Sequence, residues 1–167
     1  MQYRLSILIL IGSLASGIAF GSEPTPEGRS VDAVLNNFHA AAASADGKTY
    51  FSLLADDAIY IGTDASERWT VDEFRAFAEP YFSKGRGWTY TVTERHIAIA
   101  PGGSVAWFDE MLWNKTYGVC RGTGVLAKEG GIWRIAQYHL TFPIPNDLAR
   151  EVTTRIMEHE TQSSLIN

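Results

Sequence analysis

The segment from Trp88 to Pro143 constrains the fold most strongly, because it contains four long runs of strand-forming residues in succession. The runs are "WTYTVTERHIAIA", "SVAWFDEMLWN", "VCRGTGVLAK" and "GIWRIAQYHLTF", and each is rich in β-branched or aromatic residues. Short turn-forming stretches, "PGG", "KTYG" and "EGG", separate them. Long consecutive strands joined by short turns predict an antiparallel meander.

The sequence before this segment predicts helices. Ser30 is suited to cap a helix whose apolar residues recur at helical spacing: Val31, Val34, Leu35, Phe38 and Ala42. A short second helix and a brief strand, "AIYIG", follow. Thr70 and Glu73 have the spacing of a capping box and predict a third helix that ends at Gly85. A final helix is predicted from Asp147 to Glu160.

Helices followed by a meander indicate the α+β class. A sheet of this length can wrap three helices only if it bends, and bending leaves a conical space between sheet and helices. We therefore expect a cone-shaped, curved antiparallel β-sheet wrapped around N-terminal helices, with a central pocket. Such a pocket is the usual place for function.

The N-terminus has the features of a secretory signal peptide. Arg4 precedes an apolar run from Leu5 to Phe20, and "AFG" before Ser22 places small residues at the cleavage positions. We predict a signal peptide over residues 1–21 and export to the periplasm or the medium; a retained membrane anchor is the alternative. The remaining chain divides into a flexible lead-in (22–29), one domain (30–160) and a frayed tail (161–167).

Composition limits the partners. The net charge is −5, and no basic run is present, which argues against nucleic acid and, after cleavage, against a membrane. Cys120 is the single cysteine, so no internal disulfide can form, and we expect a buried, inert thiol. The four histidines lack metal-ligand spacing, so neither a metal nor another cofactor is predicted.

Strand alternation groups the candidate site residues on one face of the meander: Trp107, Asp109, Arg121, Gln137 and His139. If this face lines the pocket, Asp109 and His139 form a catalytic proton-handling pair, and Arg121 holds an anionic or carbonyl group of a ligand. In the alternative, Asp109 and Arg121 only neutralise each other. A one-residue bulge would instead turn Glu110 inward. His39 could point into the cone or to solvent.

The order of elements and several stretches resemble one known family. "GTDASERW", "VAWFDE", "RGTGVL" and "GIWRIAQYHLTFPIPND" are similar to exported members of the SnoaL-like branch of the nuclear-transport-factor-2-like superfamily. The resemblance covers residues from about 30 to 150. It implies a conical α+β barrel with a pocket, often a dimer through the outer sheet face, where we expected Phe108 and Leu112. Relatives include cyclases, isomerases, dehydratases and binding or assembly modules.

The resemblance gives "YIGTDASERW", Tyr60 to Trp69, a place at the open end of the cone. Tyr60 and Trp69 would then pack into the cavity wall, while Asp64 and Glu67 would cap the helix or pair with Arg68 or Arg121. A plain solvated loop is the alternative. The tyrosine of the isomerases' oxyanion pair has no counterpart here beyond Tyr60 and Tyr81.

Two functions remain open from the sequence. The first is a pocket protein for a small apolar or aromatic molecule, with acid–base chemistry of the isomerase, cyclase or dehydratase type. Its ligand-binding residues would be those named above: Tyr60, Trp69, Tyr81, Trp107, Arg121 and Gln137. The second is a non-catalytic binding or homodimeric assembly module of the same fold.

Overall fold

The computed structural model describes residues 25–164. Its elements, in chain order, are α1 (Pro26–Ala43), α2 (Gly47–Ser52), β1 (Leu54–Ile61), β2 (Arg68–Thr70), α3 (Val71–Phe82), β3 (Thr91–Ile99), β4 (Val105–Asn114), β5 (Gly118–Glu129), β6 (Ile132–Thr141) and α4 (Ala149–Ser164). The predicted signal peptide lies outside the described residues, so cleavage and export stay predictions.

The strands form one curved, unclosed sheet in the order β2-β1-β6-β5-β4-β3. The predicted meander is confirmed, because β3 to β6 pair antiparallel with their sequence neighbours. The sequence did not predict that β1 would pair with β6 in parallel or that β2 would form an antiparallel edge strand. The predicted fold class, a curved mostly antiparallel sheet with N-terminal helices, is confirmed.

The three N-terminal helices cover the concave face of the sheet, which we call the inner face. Side chains from both layers form one core, including Val31, Leu35, Phe38, Tyr50, Phe74, Phe108, Leu112, Leu126, Ile135 and Tyr138. Cys120 is buried in this core, as expected for an inert thiol. The capping box predicted at Thr70 and Glu73 is present and begins α3. Burying apolar side chains on this one face is the main stabilising term.

Helix α1 begins earlier than predicted. The Thr25 side chain caps it by accepting a hydrogen bond from the Gly28 N–H, and Pro26 occupies the first turn, where its missing N–H is not needed. Glu27 accepts hydrogen bonds from Lys128 Nζ at 2.8 Å and from Trp133 Nε1 at 2.9 Å. The prediction that residues 22–29 form a flexible lead-in is therefore wrong for the helical residues among them.

Irregular pairing in β6 changes which side chains point inward. Ile135 pairs with Leu126, whereas Gln137 pairs with Val125, so Ala136 is an extra residue in β6. Trp133 and Ile135 are buried before the bulge, and Tyr138 and Leu140 are buried after it. Strict alternation along β6 would put Gln137 and His139 on the same face as Trp133, but the bulge turns Gln137 and His139 to the opposite face.

Helix α4 extends four residues beyond its predicted end and leaves two large apolar side chains exposed. Ile156 and Met157 are 47% and 57% exposed, and Leu148, which precedes the helix, is 45% exposed. Residues 161–164 of the predicted frayed tail are helical, and residues 165–167 lie outside the described part. Within residues 25–164, no helix combines the length and apolarity needed to span a membrane.

Candidate functional site

A cavity of about 280 Å³ opens between α3 and the sheet, near the carboxyl ends of the parallel pair β1 and β6. Eight aromatic side chains line it: Tyr60, Trp69, Phe74, Phe77, Trp88, Tyr90, Tyr117 and Phe142. The remaining lining residues are Gly62, Thr63, Glu67 and Leu140. Its volume is just below the range of about 300–1,000 Å³ that is common for small-molecule sites, and its wall is mostly apolar, as the walls of such sites are.

The loop and helix that follow β1 position the aromatic wall. Tyr60 pairs across the sheet with Trp69, so the two rings lie on the same face. The capping box then begins α3 one residue later and carries Phe74 and Phe77 to these rings. The ring centroids of Tyr60 and Phe74 are 3.8 Å apart, and those of Trp69 and Phe77 are 4.8 Å apart. Hence the cavity wall is a stack of rings rather than a loose group.

Residues 62–67 form a structured turn at the cavity rim. The Gly62 N–H donates to the Glu67 carbonyl at 2.8 Å, which closes the turn. Asp64 Oδ1 accepts from the Ser66 N–H at 2.9 Å and from the Ser66 hydroxyl at 2.5 Å, and these hydrogen bonds lower the pKa of Asp64. The segment is therefore an ordered turn at the cavity rim, although residues 63–66 are exposed to solvent. The expected helix cap at Asp64 or Glu67 is wrong, because Thr70 caps α3.

Glu67 is the lining residue with a carboxylate. Its Oε2 accepts a hydrogen bond from the Asp64 N–H at 3.1 Å, and its side chain lies over Gly62, where a Cβ would overlap the carboxylate. Among the described residues, Glu67 forms no ion pair with Arg68, Arg121 or any other cation, contrary to the expected pairing. Burial, followed by the charges of Tyr90 and Glu67, raises the pKa of Tyr60, and all three residues line the cavity.

A second polar group lies deeper, on the inner face of the sheet. Glu110 is fully buried. Its Oε2 accepts from Arg95 Nε at 2.8 Å, and its Oε1 accepts from the Tyr138 hydroxyl at 2.8 Å and contacts His39 Nε2 at 2.8 Å. Arg95 Nη1 continues the network to Asp32 Oδ1 and Asn36 Oδ1, each at 2.7 Å. We call Glu110, Arg95, His39 and Tyr138 the buried polar cluster.

The cluster keeps Glu110 ionised. Burial alone would raise the pKa of Glu110, but the hydrogen bond and charge of His39 and the charge of Arg95 outweigh it and lower that pKa below its ordinary value. An ionised carboxylate can only accept hydrogen bonds, so the proton in the His39 contact resides on Nε2. Burial, followed by the charge of the same carboxylate, raises the pKa of Tyr138, whose hydroxyl therefore stays a donor.

A void of about 10 Å³ separates the cluster from the cavity. His39, Tyr50 and Tyr138 border it, together with residues that also line the cavity: Tyr60, Trp88, Tyr90 and Leu140. The buried Tyr50 hydroxyl makes no hydrogen bond of good geometry within the described residues. The void has room for about one water molecule. None of the four residues of the buried polar cluster lines the cavity itself, so the cluster lies behind the cavity wall rather than in it.

The predicted site residues of the meander do share one face of the sheet. That face is the outer one, opposite the face that the helices cover. Across β4 and β5, Trp107 pairs with Val125 and Asp109 with Thr123. Trp107 is 50% exposed, Asp109 and Arg121 are exposed, and the buried β4 side chains are those of Ala106, Phe108, Glu110 and Leu112. The placement of Asp109 in the pocket is therefore wrong, and Glu110 occupies the inner face instead.

The other predicted site residues also divide between the outer face of the sheet and the cavity. Gln137 is exposed and His139 half-buried on the outer face. Asp109 forms no ion pair with Arg121 or His139 among the described residues, so the pairings expected on this face are also wrong. Tyr60 and Trp69 line the cavity as predicted. Tyr81 is not in the cavity wall; it is 43% exposed, and its ring lies 5.7 Å from that of Phe77.

Sequence reasoning missed most of the cavity wall. Trp88 and Tyr90 precede β3 rather than forming part of it, and Tyr117 and Phe142 lie in connections next to strands. The rings of Tyr117 and Phe142 are 5.0 Å apart. The available signal was the repeated placement of aromatic residues at strand ends, where they gather at one end of the sheet.

Two further observations concern cofactors. Within residues 25–164, no group of three or more His, Cys, Asp and Glu side chains is arranged to hold a metal ion. The cavity wall contains no Lys, Arg or His among the described residues, so it offers no cation for a phosphate-bearing cofactor.

The fold corresponds to that of known proteins. The SnoaL-like domain family matches residues 31–145, and the chain therefore belongs to this family. The resemblance inferred from the sequence is confirmed at the level of the SnoaL-like branch of the superfamily. No curated protein matches the sequence.

Solved structures with this fold have diverse descriptions. An NTF2-like protein of unknown function from Pseudomonas putida aligns with a TM-score of 0.60 at 14% identity, over 71% of this chain and 87% of that one. A proposed dehydratase of the NTF2-like family from Streptomyces avermitilis aligns with a TM-score of 0.58 at 14% identity, over 74% of this chain and 100% of that one. A protein from Xanthomonas campestris, proposed as a calcium/calmodulin-dependent protein kinase II association domain, aligns with a TM-score of 0.54 at 20% identity, over 83% of this chain and 99% of that one. These identities support the fold alone.

Proposed function

We propose that this chain binds a small, ring-containing, largely apolar molecule in the aromatic cavity. The observation that carries the proposal is the cavity itself: about 280 Å³ of space with eight aromatic side chains in its wall. Aromatic side chains supply large contact areas with few rotatable bonds, so little entropy is lost when a ligand packs on them. Stacking between Trp69, Phe74 and Phe77 holds the wall in place before any ligand arrives.

Binding is favoured over catalysis by the position of the buried polar cluster. Its carboxylate is neutralised by Arg95 and its imidazole lies beside the small void, not in the cavity wall. A general base must come within hydrogen-bond reach of the proton that it removes. The dehydratase chemistry proposed for the Streptomyces protein is therefore not part of this proposal.

The test is calorimetric titration with a panel of small aromatic compounds, using a variant that fills the cavity. Thr63→Trp adds a large side chain at an exposed lining position, whereas Ala65→Trp adds the same side chain two residues away, outside the lining. We expect Thr63→Trp to abolish binding and Ala65→Trp to leave it intact. Absence of binding by the wild type, or equal binding by Thr63→Trp, would overturn the proposal.

A second candidate function is self-association through the outer face. Four apolar side chains of β4 and β5 are 39–53% exposed there: Val105, Trp107, Trp113 and Val119. Trp113 and Val119 pair directly across the two strands, so they form a contiguous apolar area, which is typical of an interface. Charges of both signs, Asp109 and Arg121, border this area and can complement a second copy. The expected dimer residues Phe108 and Leu112 cannot contribute, because both are buried on the inner face.

Sedimentation of the protein tests this second candidate. We expect a homodimer for the wild type and a monomer for Trp107→Lys combined with Val119→Lys. Met157→Lys, which removes an equally exposed apolar side chain on α4, is the control and should remain dimeric. A wild-type monomer at tens of micromolar, or a dimer that survives the double substitution, would contradict self-association through this face.

A further inference from the structure

The charges around the aromatic cavity have one sign. Of the twelve lining residues in the described part of the chain, Glu67 is the one with a charge at neutral pH, since the other eleven are aromatic, aliphatic, glycine or threonine. Burial raises the pKa of Tyr60, and that of Tyr90 to about 12, so neither tyrosine is ionised. The described wall holds no cation that could balance the carboxylate. A ligand in this cavity therefore meets a single negative charge.

The carboxylate is fixed rather than mobile. The turn at residues 62–67 brings Glu67 back over Gly62, and only a glycine leaves the space for it. One oxygen, Oε2, is held by the Asp64 N–H, and Oε1 has no hydrogen bond within the described residues. Glu67 is half-buried, so part of its hydration is already lost. One carboxylate oxygen thus remains available to a partner.

Aromatic residues next to a carboxylate are suited to cations. Ring faces carry a negative electrostatic potential, and Trp and Tyr bind ammonium groups most strongly. Trp69 and Tyr60 lie on adjacent strands at the same end of the cavity as Glu67. An anionic ligand would be repelled by the same arrangement, and the overall charge of −5 also attracts cations.

We propose that the cavity accepts a cationic ligand: a small aromatic or methyl-rich molecule bearing an ammonium group, with Glu67 as its counter-charge. This inference rests on the proposed function, because it names the class of ligand for the same cavity. An uncharged ligand of the same shape is the competing possibility. The cationic and the uncharged ligand differ in charge alone, so their affinities can be compared directly.

The probes are benzyltrimethylammonium and neopentylbenzene, which have the same shape but differ by one positive charge. In calorimetric titration of the full chain, we expect the cation to bind about 3- to 10-fold more tightly. Glu67→Gln should reduce this preference to less than about twofold, whereas Glu67→Asp, which keeps the charge, should retain it. Glu129→Gln, an acid-to-amide change at an exposed position outside the cavity, is the matched control and should behave as the wild type.

The outcomes separate the inference from the function on which it rests. Equal or tighter binding of neopentylbenzene by the wild type would overturn the cationic ligand and leave the aromatic cavity as a binding site. A preference for the cation that persists in Glu67→Gln would overturn the role of Glu67. If neither probe binds and the aromatic panel also fails, the proposed function itself is overturned.

Discussion

Glu110 and Glu67 are two carboxylates in very different surroundings. Glu110 is fully buried and makes hydrogen bonds or ion contacts with Arg95, Tyr138 and His39. Glu67 lies half-buried at the rim of the aromatic cavity, and its side chain has one hydrogen bond within residues 25–164, from a backbone N–H. Removing one partner of a buried ion pair leaves an uncompensated charge and destabilises the fold. A carboxylate at a cavity rim that forms no ion pair can instead be neutralised without such a cost, and it is available to a ligand. The predictions below test this contrast.

The largest effect should come from removing the charge of Glu110. Glu110→Gln leaves the buried guanidinium of Arg95 with Asp32 as its nearest carboxylate, and Asp32 is 47% exposed. Breaking a buried pair in this way costs about 3–5 kcal/mol in the free energy of unfolding. Urea denaturation measures the loss. Asp109→Asn, one residue away on the outer face, should leave the midpoint unchanged; similar losses in both variants would contradict the contrast between the two faces.

The next effect concerns Gly122, which leaves room for the cluster. A Cβ at this position would overlap the Tyr138 hydroxyl and lie 2.8 Å from Glu110 Oε1. Gly122→Ala should therefore cost about 1–3 kcal/mol through overpacking. Because the Tyr138 hydroxyl is the nearest obstacle, the cost should be about 1 kcal/mol smaller in a Tyr138→Phe background. Strict additivity of the two changes in denaturation experiments would show that the hydroxyl is not the obstacle.

The glycines of β5 also explain what the sequence could and could not predict. Apolar residues surround one carboxylate on each face of β4, so the pattern of β4 alone does not distinguish Asp109 from Glu110. The distinguishing signal is across the strand pair: Phe108 faces Gly124 and Glu110 faces Gly122. On a concave face, large side chains converge, and small residues opposite them relieve the crowding. That signal marks the inner face, but it depends on knowing the register of the strands.

Local patterns predicted the fold class, the meander and the capped helix, because each depends on residues close together in the chain. The cavity depends on bringing distant segments together: Trp88, Tyr117 and Phe142 line the same cavity as Trp69 only because the sheet curves. The bulge at Ala136 likewise follows from the pairing of β6 with β5. His39 and Arg95 reach Glu110 across separations of 71 and 15 residues, and no local pattern specifies such a meeting.

Acid should weaken the buried polar cluster. The partners of Glu110 lower its pKa in the folded protein below the ordinary value of 4.5. A group with a lowered folded pKa stabilises the fold above its unfolded pKa, and this stability is lost as the pH falls through the folded value. The free energy of unfolding should therefore decrease as the pH is lowered below about 4.5. Glu110→Gln should show a smaller decrease than the wild type in the same range, and identical slopes would exclude Glu110 as a contributor.

The smallest effect on stability is expected at Glu67. Glu67→Gln keeps the shape of the side chain and an oxygen that can accept the hydrogen bond from the Asp64 N–H. It also leaves no cation without a partner, because none of the described residues forms an ion pair with Glu67. Where a carboxylate is kept for ligand binding, its neutralisation leaves the fold unchanged or slightly more stable. We expect a urea midpoint equal to or above that of the wild type, together with the loss of the preference for benzyltrimethylammonium. A clear decrease in the midpoint would mean that Glu67 supports the turn at residues 62–67, and the difference between the two carboxylates would then be one of degree.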